Sequence, residues 1–559
     1  MSTRITLKKP YDFVIEKMED WAIYKTYANK KGFLSKVKVK LLEDANWILK
    51  DDTSLRLELK NILYQEKMKF THSPWKSDKE KEKLFWNGIK KKLVTTSSID
   101  YNGKTKDIDE KILHEIIEFY GHEMIANFKP RTFRLAQKAI PYVYSRLINQ
   151  FPRMLYRMFG SIDSLYDRMK ITGDIEHIRK LAKEGTIIAV PTHYSNLDSP
   201  TVGLSLNNLG IPAFTYGAGI NLFTMGLISR YMHNLGAYTV DRRRKHKLYN
   251  DTLKCYSTIA MTEGVNSLFF PGGGRSHSGE VESKLKLGLL GTTIEAQRMN
   301  LIKDGKDAKK IYILPITLNY HYVLEASKLI EYKLKEDGKE LYFPDENTGY
   351  FGLIKRAYKV ITSNPGMTIC FAPLMDVFGN KVNQDGESIG KKGEVIKVED
   401  YFKLNGKITK NIQRDKQYTQ ILGEEIIKEY KINSVVLSSN LVAFVAFQIL
   451  RKRFNQFSVF ELLSLPLDET NISTVEFKIV LDRIRDRLKI LEKNEEVILS
   501  EDLNLPIEEL MNIGIKKVGS SHPKKVLKKN RKGIISTQSM KLLYYYNNKL
   551  TCYELEKYI

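Results

Sequence analysis

Between Gly185 and Phe371 the chain alternates between two textures. Short apolar runs occur at Thr186–Val190, Ala237–Val240, Ser267–Phe270, Ile311–Leu318 and Thr368–Phe371. They are too short for helices and have the unbroken hydrophobicity of strands buried on both faces. Between them lie stretches with apolar residues at helical spacing: Leu222–Leu235, Lys247–Thr262 (stopped by Gly264) and Leu287–Met299. Strands that alternate with helices pack as a mostly parallel sheet flanked by helices. The pattern predicts an α/β domain over residues 141–380.

The flanks read differently. Residues 1–140 are dense in Lys and Glu and carry apolar residues at helical spacing, as in Ile112, Ile116, Ile117 and Tyr120, which predicts a helical N-terminal region. Residues 381–559 open on a polar, glycine-containing stretch. They then return to helical patterns at Lys416–Tyr430, Val435–Arg453 and Ser473–Glu495. Within this helical C-terminal region, Ser520–Gly533 gathers Lys524, Lys525, Lys528, Lys529, Arg531 and Lys532 and reads as a mobile basic tract. At 559 residues the chain is too long for one ordinary core, which predicts two or three domains.

Lys and Arg outnumber Asp and Glu by 90 to 66, a net charge of +24 that calls for an anionic partner: nucleic acid, an anionic membrane face or acidic substrates. Cys255, Cys370 and Cys552 have neither metal-ligand nor disulfide spacing, which fits a reducing compartment. The start, Met1-Ser2-Thr3-Arg4-Ile5, lacks the apolar core of a secretory signal. The most apolar stretch, Val435–Leu450, holds Ser438, Ser439 and Asn440 and falls short of the roughly 20 apolar residues that cross a bilayer.

Four blocks carry chemistry. Pro191-Thr192-His193-Tyr194-Ser195-Asn196-Leu197-Asp198 follows a predicted strand, where open α/β sheets place their sites. An imidazole there can act as a general base near neutral pH, and a carboxylate one turn on can fix its tautomer. Gly236-Ala237-Tyr238-Thr239-Val240-Asp241-Arg242 ends a second strand in a cation. Phe270-Pro271-Gly272-Gly273-Gly274-Arg275-Ser276 joins a glycine run, over which an anion can approach the backbone, to a guanidinium suited to phosphate and a hydroxyl. Its glycine spacing matches neither a Walker loop nor the dinucleotide fingerprint. Leu314-Pro315-Ile316 places a proline in a strand pattern, which predicts a strand end or edge.

In their order these blocks resemble those of the glycerolipid acyltransferases: His-x4-Asp, Gly-x-x-Phe-Ile-x-Arg, Phe-x-Glu-Gly-x-Arg-Ser and a proline-bearing fourth block. The glycerol-3-phosphate acyltransferase branch is most similar. Ala218-Gly219-Ile220-Asn221-Leu222, Lys247-Leu248-Tyr249, Gly273-Gly274-Arg275-Ser276 and Pro315-Ile316 through Tyr320, Val323 and Glu325 resemble its motifs, and the resemblance covers about 185 to 330. The chain departs from the pattern at Gly272, where the family has Glu, and at His277, where the branch often has Arg. Asp241-Arg242 looks more like the lysophosphatidate acyltransferase form of the second block.

The resemblance implies that His193 takes the proton of an acceptor hydroxyl while Asp198 orients the ring. Arg242, Gly273, Gly274, Arg275 and Ser276 would bind the acceptor phosphate, and Pro315 would help shape an acyl groove. It implies acyl-CoA or acyl carrier protein as donor, glycerol 3-phosphate as acceptor, and neither a cofactor nor a metal. Lysophosphatidate and dihydroxyacetone phosphate are the alternative acceptors.

A lipid product implies work at an anionic membrane surface. The expected place is the cytoplasmic face of the cell membrane, held peripherally or monotopically. Ile140–Phe159, with Arg146, Arg153 and Arg157 flanking an apolar face interrupted by Pro152, is the candidate contact. Two readings of other classes stand beside the enzyme. One is a non-enzymatic basic binder of membrane or nucleic acid; the usual nucleic-acid motifs are missing, so no nucleic-acid partner is expected. The other is a scaffold that lost activity with the carboxylate at position 272.

Overall fold

The computed structural model describes residues 4–45, 52–72, 80–97, 105–148, 169–220, 226–336 and 366–559. Its centre is an eight-stranded sheet. The strands are β1 (Ile5–Thr6), β2 (Met169–Gly173), β3 (Thr186–Pro191), β4 (Thr215–Gly219), β5 (Ala237–Val240), β6 (Ser267–Leu268), β7 (Ile311–Tyr320) and β8 (Met367–Phe371), in the order β1-β2-β8-β7-β3-β6-β4-β5. The β3–β6, β3–β7, β4–β5, β4–β6 and β2–β8 pairings are parallel; β1–β2 and β7–β8 are antiparallel. The chain is thus α/β with a mostly parallel sheet, as its sequence texture predicts.

Both faces of the sheet are covered, which is why the central strands are apolar without alternation. Ile187 and Ala189 of β3 pack into one core with Leu314, Phe444, Leu481 and Tyr545. Ile188 and Val190, pointing the other way, pack with Ile313, Leu290, Ile294 and Leu422. Helices Leu287–Asp304 and Ile412–Ile432 supply that second face. The C-terminal helices gather around Ser438–Arg453, buried at every position from Ser438 to Leu450. That burial explains its apolar sequence without a membrane, and no helix among the described residues is long and apolar enough to cross one.

N-terminal helices, Ala22–Ala28, Lys30–Asp44, Asp52–His72, Glu80–Ser97 and Thr105–Met124, form a third core. They close on the β5 end of the sheet through Tyr238, Leu248, Tyr249 and Tyr256.

Several local features differ from the sequence reading. Strands β2 and β4 escape it because Met-Lys-Ile-Thr-Gly and Thr-Tyr-Gly-Ala-Gly contain no continuous apolar run. Ser520–Gly533 is built into the fold, not mobile. Val526 and Leu527 are buried, His522 bonds the Tyr546 hydroxyl at 3.0 Å, and Lys528–Lys529 pair with Ile535 and Ser536.

Pro315 sits inside β7, not at its end. Its N–H would point to the side where Ile313 pairs with Met375, and the neighbouring chain bulges there between Phe371 and Met375. Only the Pro315 carbonyl is used, accepting from Ala372 N at 3.0 Å. The helix Pro130–Ile148 covers the start of the candidate membrane segment; the side chains from Ile140 on and residues 149–168 lie outside the described residues, as do Asn221 and Leu222.

Candidate active site

Strands β3, β6, β4 and β5 run parallel, so their carboxyl ends share one edge of the sheet. His193 leaves this edge two residues after β3. The chain turns at once into the helix Asp198–Asn208, and the Asp198 carboxylate folds back over the turn. Its Oδ2 accepts from Tyr194 N at 2.6 Å, Ser195 N at 2.8 Å and His193 Nδ1 at 2.8 Å. Its Oδ1 accepts from the Tyr320 hydroxyl at 2.7 Å. Asp198 is fully buried, while the His193 side chain keeps 16 % exposure. A carboxylate can only accept, so Nδ1 carries the proton and Nε2 keeps its lone pair for an incoming one.

The third block packs against the base. The Phe270 ring stacks on the imidazole with centroids 4.2 Å apart. Ser276 N donates to the His193 carbonyl at 2.7 Å, and the Ser276 hydroxyl donates to Glu280 O at 3.0 Å. Gly273 has φ +75°, and a side chain there would run into the stem of Lys286. Gly274 has open space around its Cα. A Cβ on Gly272 would stand 2.9 Å from the Glu282 carboxyl, whose Oε1 accepts from His193 N at 2.8 Å. Burial pushes the Glu282 carboxyl up to about 8.

Glu325, just after β7, ties three parts together. It accepts from Ser195 Oγ at 2.9 Å and Asn196 N at 3.1 Å, and it lies 3.6 Å from an Arg275 guanidinium nitrogen. From the C-terminal region, Lys549 reaches under the first block. Its ammonium donates to the Tyr194 hydroxyl at 2.9 Å, and burial lowers it to about 8.

Arg242 takes no part in this cluster. It follows the edge strand β5, separated from β3 by β4 and β6, three strand spacings or about 14 Å away along the same edge. It is exposed and makes no ion pair among the described residues. Its neighbours are committed elsewhere. Arg243 folds back on Asp241, with Nη2 2.8 Å from Oδ2. Arg244 is buried against Glu66 at 2.8 Å, Glu82 at 2.6 Å and Glu123. Burial alone would raise Glu66, but Arg244, His246 and Lys69 bring it down to about 2.

The structure therefore gathers His193, Asp198, Arg275, Ser276 and the glycines, and leaves Arg242 on the flank. Pro315 is buried in the sheet opposite Val190, three residues before the base. Sequence reasoning missed Glu282, Lys549 and Lys286 altogether. Tyr320 and Glu325 stood in the fourth-block pattern without a role. No group of three or more His, Cys, Asp or Glu among the described residues could hold a metal ion. A cavity of 380 Å³ between Lys36, Gly185, Glu263, Asn266 and Lys309 opens at the opposite edge and shares no residue with the His193–Asp198 pair.

Part of the chain is similar to known proteins. The Acyltransferase family model matches residues 173–319, from the end of β2 to the end of β7. A glycerol-3-phosphate acyltransferase of Actinobacillus pleuropneumoniae serotype 3 (strain JL03) is 24% identical over 303 residues, 54% of this chain and 32% of the relative. One from Baumannia cicadellinicola subsp. Homalodisca coagulata is 28% identical over 251 residues, 44% of this chain and 27% of the relative. The chain thus spans about a third of the length of these curated relatives or less. Motif order, sheet edge and family match point the same way: residues 173–319 match the Acyltransferase family model, and the chain is similar over about half its length to glycerol-3-phosphate acyltransferases.

Proposed function

We propose that the chain moves a fatty acyl group from a thioester, acyl-CoA or acyl carrier protein, to a hydroxyl of glycerol 3-phosphate, giving lysophosphatidate. The observation that carries this reading is the His193–Asp198 pair at the carboxyl edge, with Nδ1 held and Nε2 available. Nε2 takes the hydroxyl proton as the oxygen attacks the thioester carbonyl. The C–O bond forms, the C–S bond breaks, and the imidazolium returns its proton to the leaving thiolate. Asp198 steadies the charged ring through that cycle. No acyl-enzyme and no cofactor are needed.

Arg275 and the exposed Lys286, whose stem lies against Gly273, flank the glycine loop and can hold a phosphate there. Ser276 uses its hydroxyl proton on Glu280, so it serves the phosphate less than it serves the backbone of the base. The reading of Arg242 as part of the phosphate clamp needs an acceptor long enough to bridge from β5. Lysophosphatidate is longer than glycerol 3-phosphate and is the second acceptor to weigh. A lipid product and a net charge of +24 support work at the anionic cytoplasmic face of a membrane.

An acceptor panel of glycerol 3-phosphate, lysophosphatidate and dihydroxyacetone phosphate, with acyl-CoA or acyl carrier protein and mass analysis of the lipid, tests the proposal. Acceptor-dependent thiol release with glycerol 3-phosphate is expected. Release with lysophosphatidate alone reassigns the acceptor, and none with any acceptor favours the scaffold reading.

A further inference from the structure

The first block is gripped from two sides by groups that no sequence motif points to. From the loop after the third block, Glu282 accepts the backbone N–H of His193 at 2.8 Å. From the C-terminal region, Lys549 bonds the hydroxyl of the next residue, Tyr194, at 2.9 Å and lies over its ring, 4.3 Å from the centroid. The second oxygen of Glu282, Oε2, is buried without a hydrogen-bond partner among the described residues. An unpartnered buried carboxylate oxygen costs stability, and such a group persists where its position is needed.

Glu282 can stand there because position 272 has no side chain. The site of a Cβ on Gly272 is 2.9 Å from the Glu282 carboxyl carbon and from Oε1, and 3.1 Å from Oε2. Gly272 does not have the left-handed backbone that would demand glycine, so space is what its missing side chain supplies. The two positions thus offer one carboxylate-sized volume beneath the base, reachable from either segment.

We infer that Glu282 is a positioning residue for His193: its carboxyl fills the volume left open at Gly272 and fixes the backbone of the base, so that Nδ1 stays on Asp198. The inference rests on the reading of His193 as the base. Glu282 is not asked to touch the acceptor. Burial raises the Glu282 carboxyl and lowers the Lys549 amine, and the charge of each opposes that effect on the other without cancelling it.

Because the volume is shared, the carboxylate can be moved. Four full-length variants test this: Glu282→Gln, Glu282→Ala, Gly272→Glu, and the double variant G272E/E282A. Glu282→Gln keeps an oxygen for the His193 N–H and is expected to hold kcat within about threefold. Glu282→Ala is expected to lower kcat at least tenfold with acceptor KM within twofold. Gly272→Glu alone crowds two carboxyls into one volume and is expected to be no better than Glu282→Ala. The double variant is expected to recover kcat to within about threefold of wild type.

A structural role alone would not predict recovery by a carboxylate entering from a different segment. A Glu282→Ala enzyme with wild-type kcat, or a double variant no better than Glu282→Ala, overturns the inference. The rate of carbethoxylation of His193, followed by peptide mass spectrometry, gives a second readout that needs no turnover. It is expected to change at least threefold in Glu282→Ala and to return in the double variant; an unchanged rate overturns the inference even if the wild type acylates none of the tested acceptors, an outcome that counts against the functional proposal alone.

Discussion

The Tyr320 phenol donates to Asp198 Oδ1 at 2.7 Å while the other oxygen of that carboxylate receives the imidazole N–H of His193. One fully buried carboxylate is therefore shared between the strand at the middle of the sheet and the turn that carries the base. A hydrogen bond to a charged group contributes roughly 1.5–3 kcal/mol, and about 1.4 kcal/mol is tenfold in rate. Tyr320→Phe is expected to lower kcat about tenfold and leave both KM values within twofold, as steady-state thiol release would show. An unchanged kcat would mean that Asp198 is held well enough by its three other donors.

His193→Ala removes the base together with its ring contact on Phe270 and its hydrogen bond to Asp198, while the backbone bonds of the turn remain. Turnover is expected to fall by about 10²–10⁴-fold, the usual contribution of general-base catalysis, with the circular dichroism and melting temperature of the wild type. Retained activity would remove His193 from the mechanism.

Arg275 is held near Glu325 but keeps part of its fork for a ligand. Arg275→Ala is expected to raise acceptor KM about tenfold at near-constant donor KM, the signature of a lost ground-state phosphate contact. A raised donor KM alone would place the guanidinium on the thioester side.

Glu282 and Lys549 make stability depend on pH in opposite directions. The folded carboxyl, raised by burial to about 8, binds its proton more tightly than the unfolded one, so its contribution is full below the ordinary carboxylate range and is lost as pH rises towards 8. The folded amine, lowered by burial to about 8, loses its proton more easily than the unfolded one, so its destabilising effect is relieved as pH rises from 8 towards 10.5. Together they produce a shallow minimum in melting temperature near pH 8. Lys549→Met is expected to abolish the alkaline recovery and keep the acid limb, in thermal melts from pH 5 to 10.

The blocks themselves were legible because their chemistry is local. His-x4-Asp closes within one turn, and the helix predicted at Lys247–Thr262 has those bounds in the structure. The sheet order was not legible. Nothing in Ala237–Val240 tells that β5 lies at an edge, three strands from β3, and that position is what removes Arg242 from the cluster. The fate of Asp241-Arg242-Arg243-Arg244 depends equally on distant residues. Glu66, Glu82 and Glu123 from the N-terminal helices draw Arg244 inward, and only Arg242 is left for solvent. Glu282 and Lys549 were invisible for the same reason: a lone acid and a lone base among many acquire meaning only from what the fold sets beside them.

That buried cluster gives the N-terminal helices a measurable task. Arg244→Ala leaves Glu66 and Glu82 to Lys69 and takes the guanidinium away from Glu123, and removing one partner of a buried ion pair costs about 3–5 kcal/mol. A lower urea midpoint is expected, with faster proteolysis of residues 52–124. Unaltered proteolysis would show that the apolar contacts around Tyr120 and Tyr249 suffice to hold the helices.

The Lys549–Tyr194 contact joins residues 355 positions apart. During synthesis the ribosome delivers Tyr194 355 residues ahead of this brace. A nascent chain halted anywhere in between exposes a first block that lacks its Lys549 contact, so the reaction centre is not fully braced until Lys549 has been made.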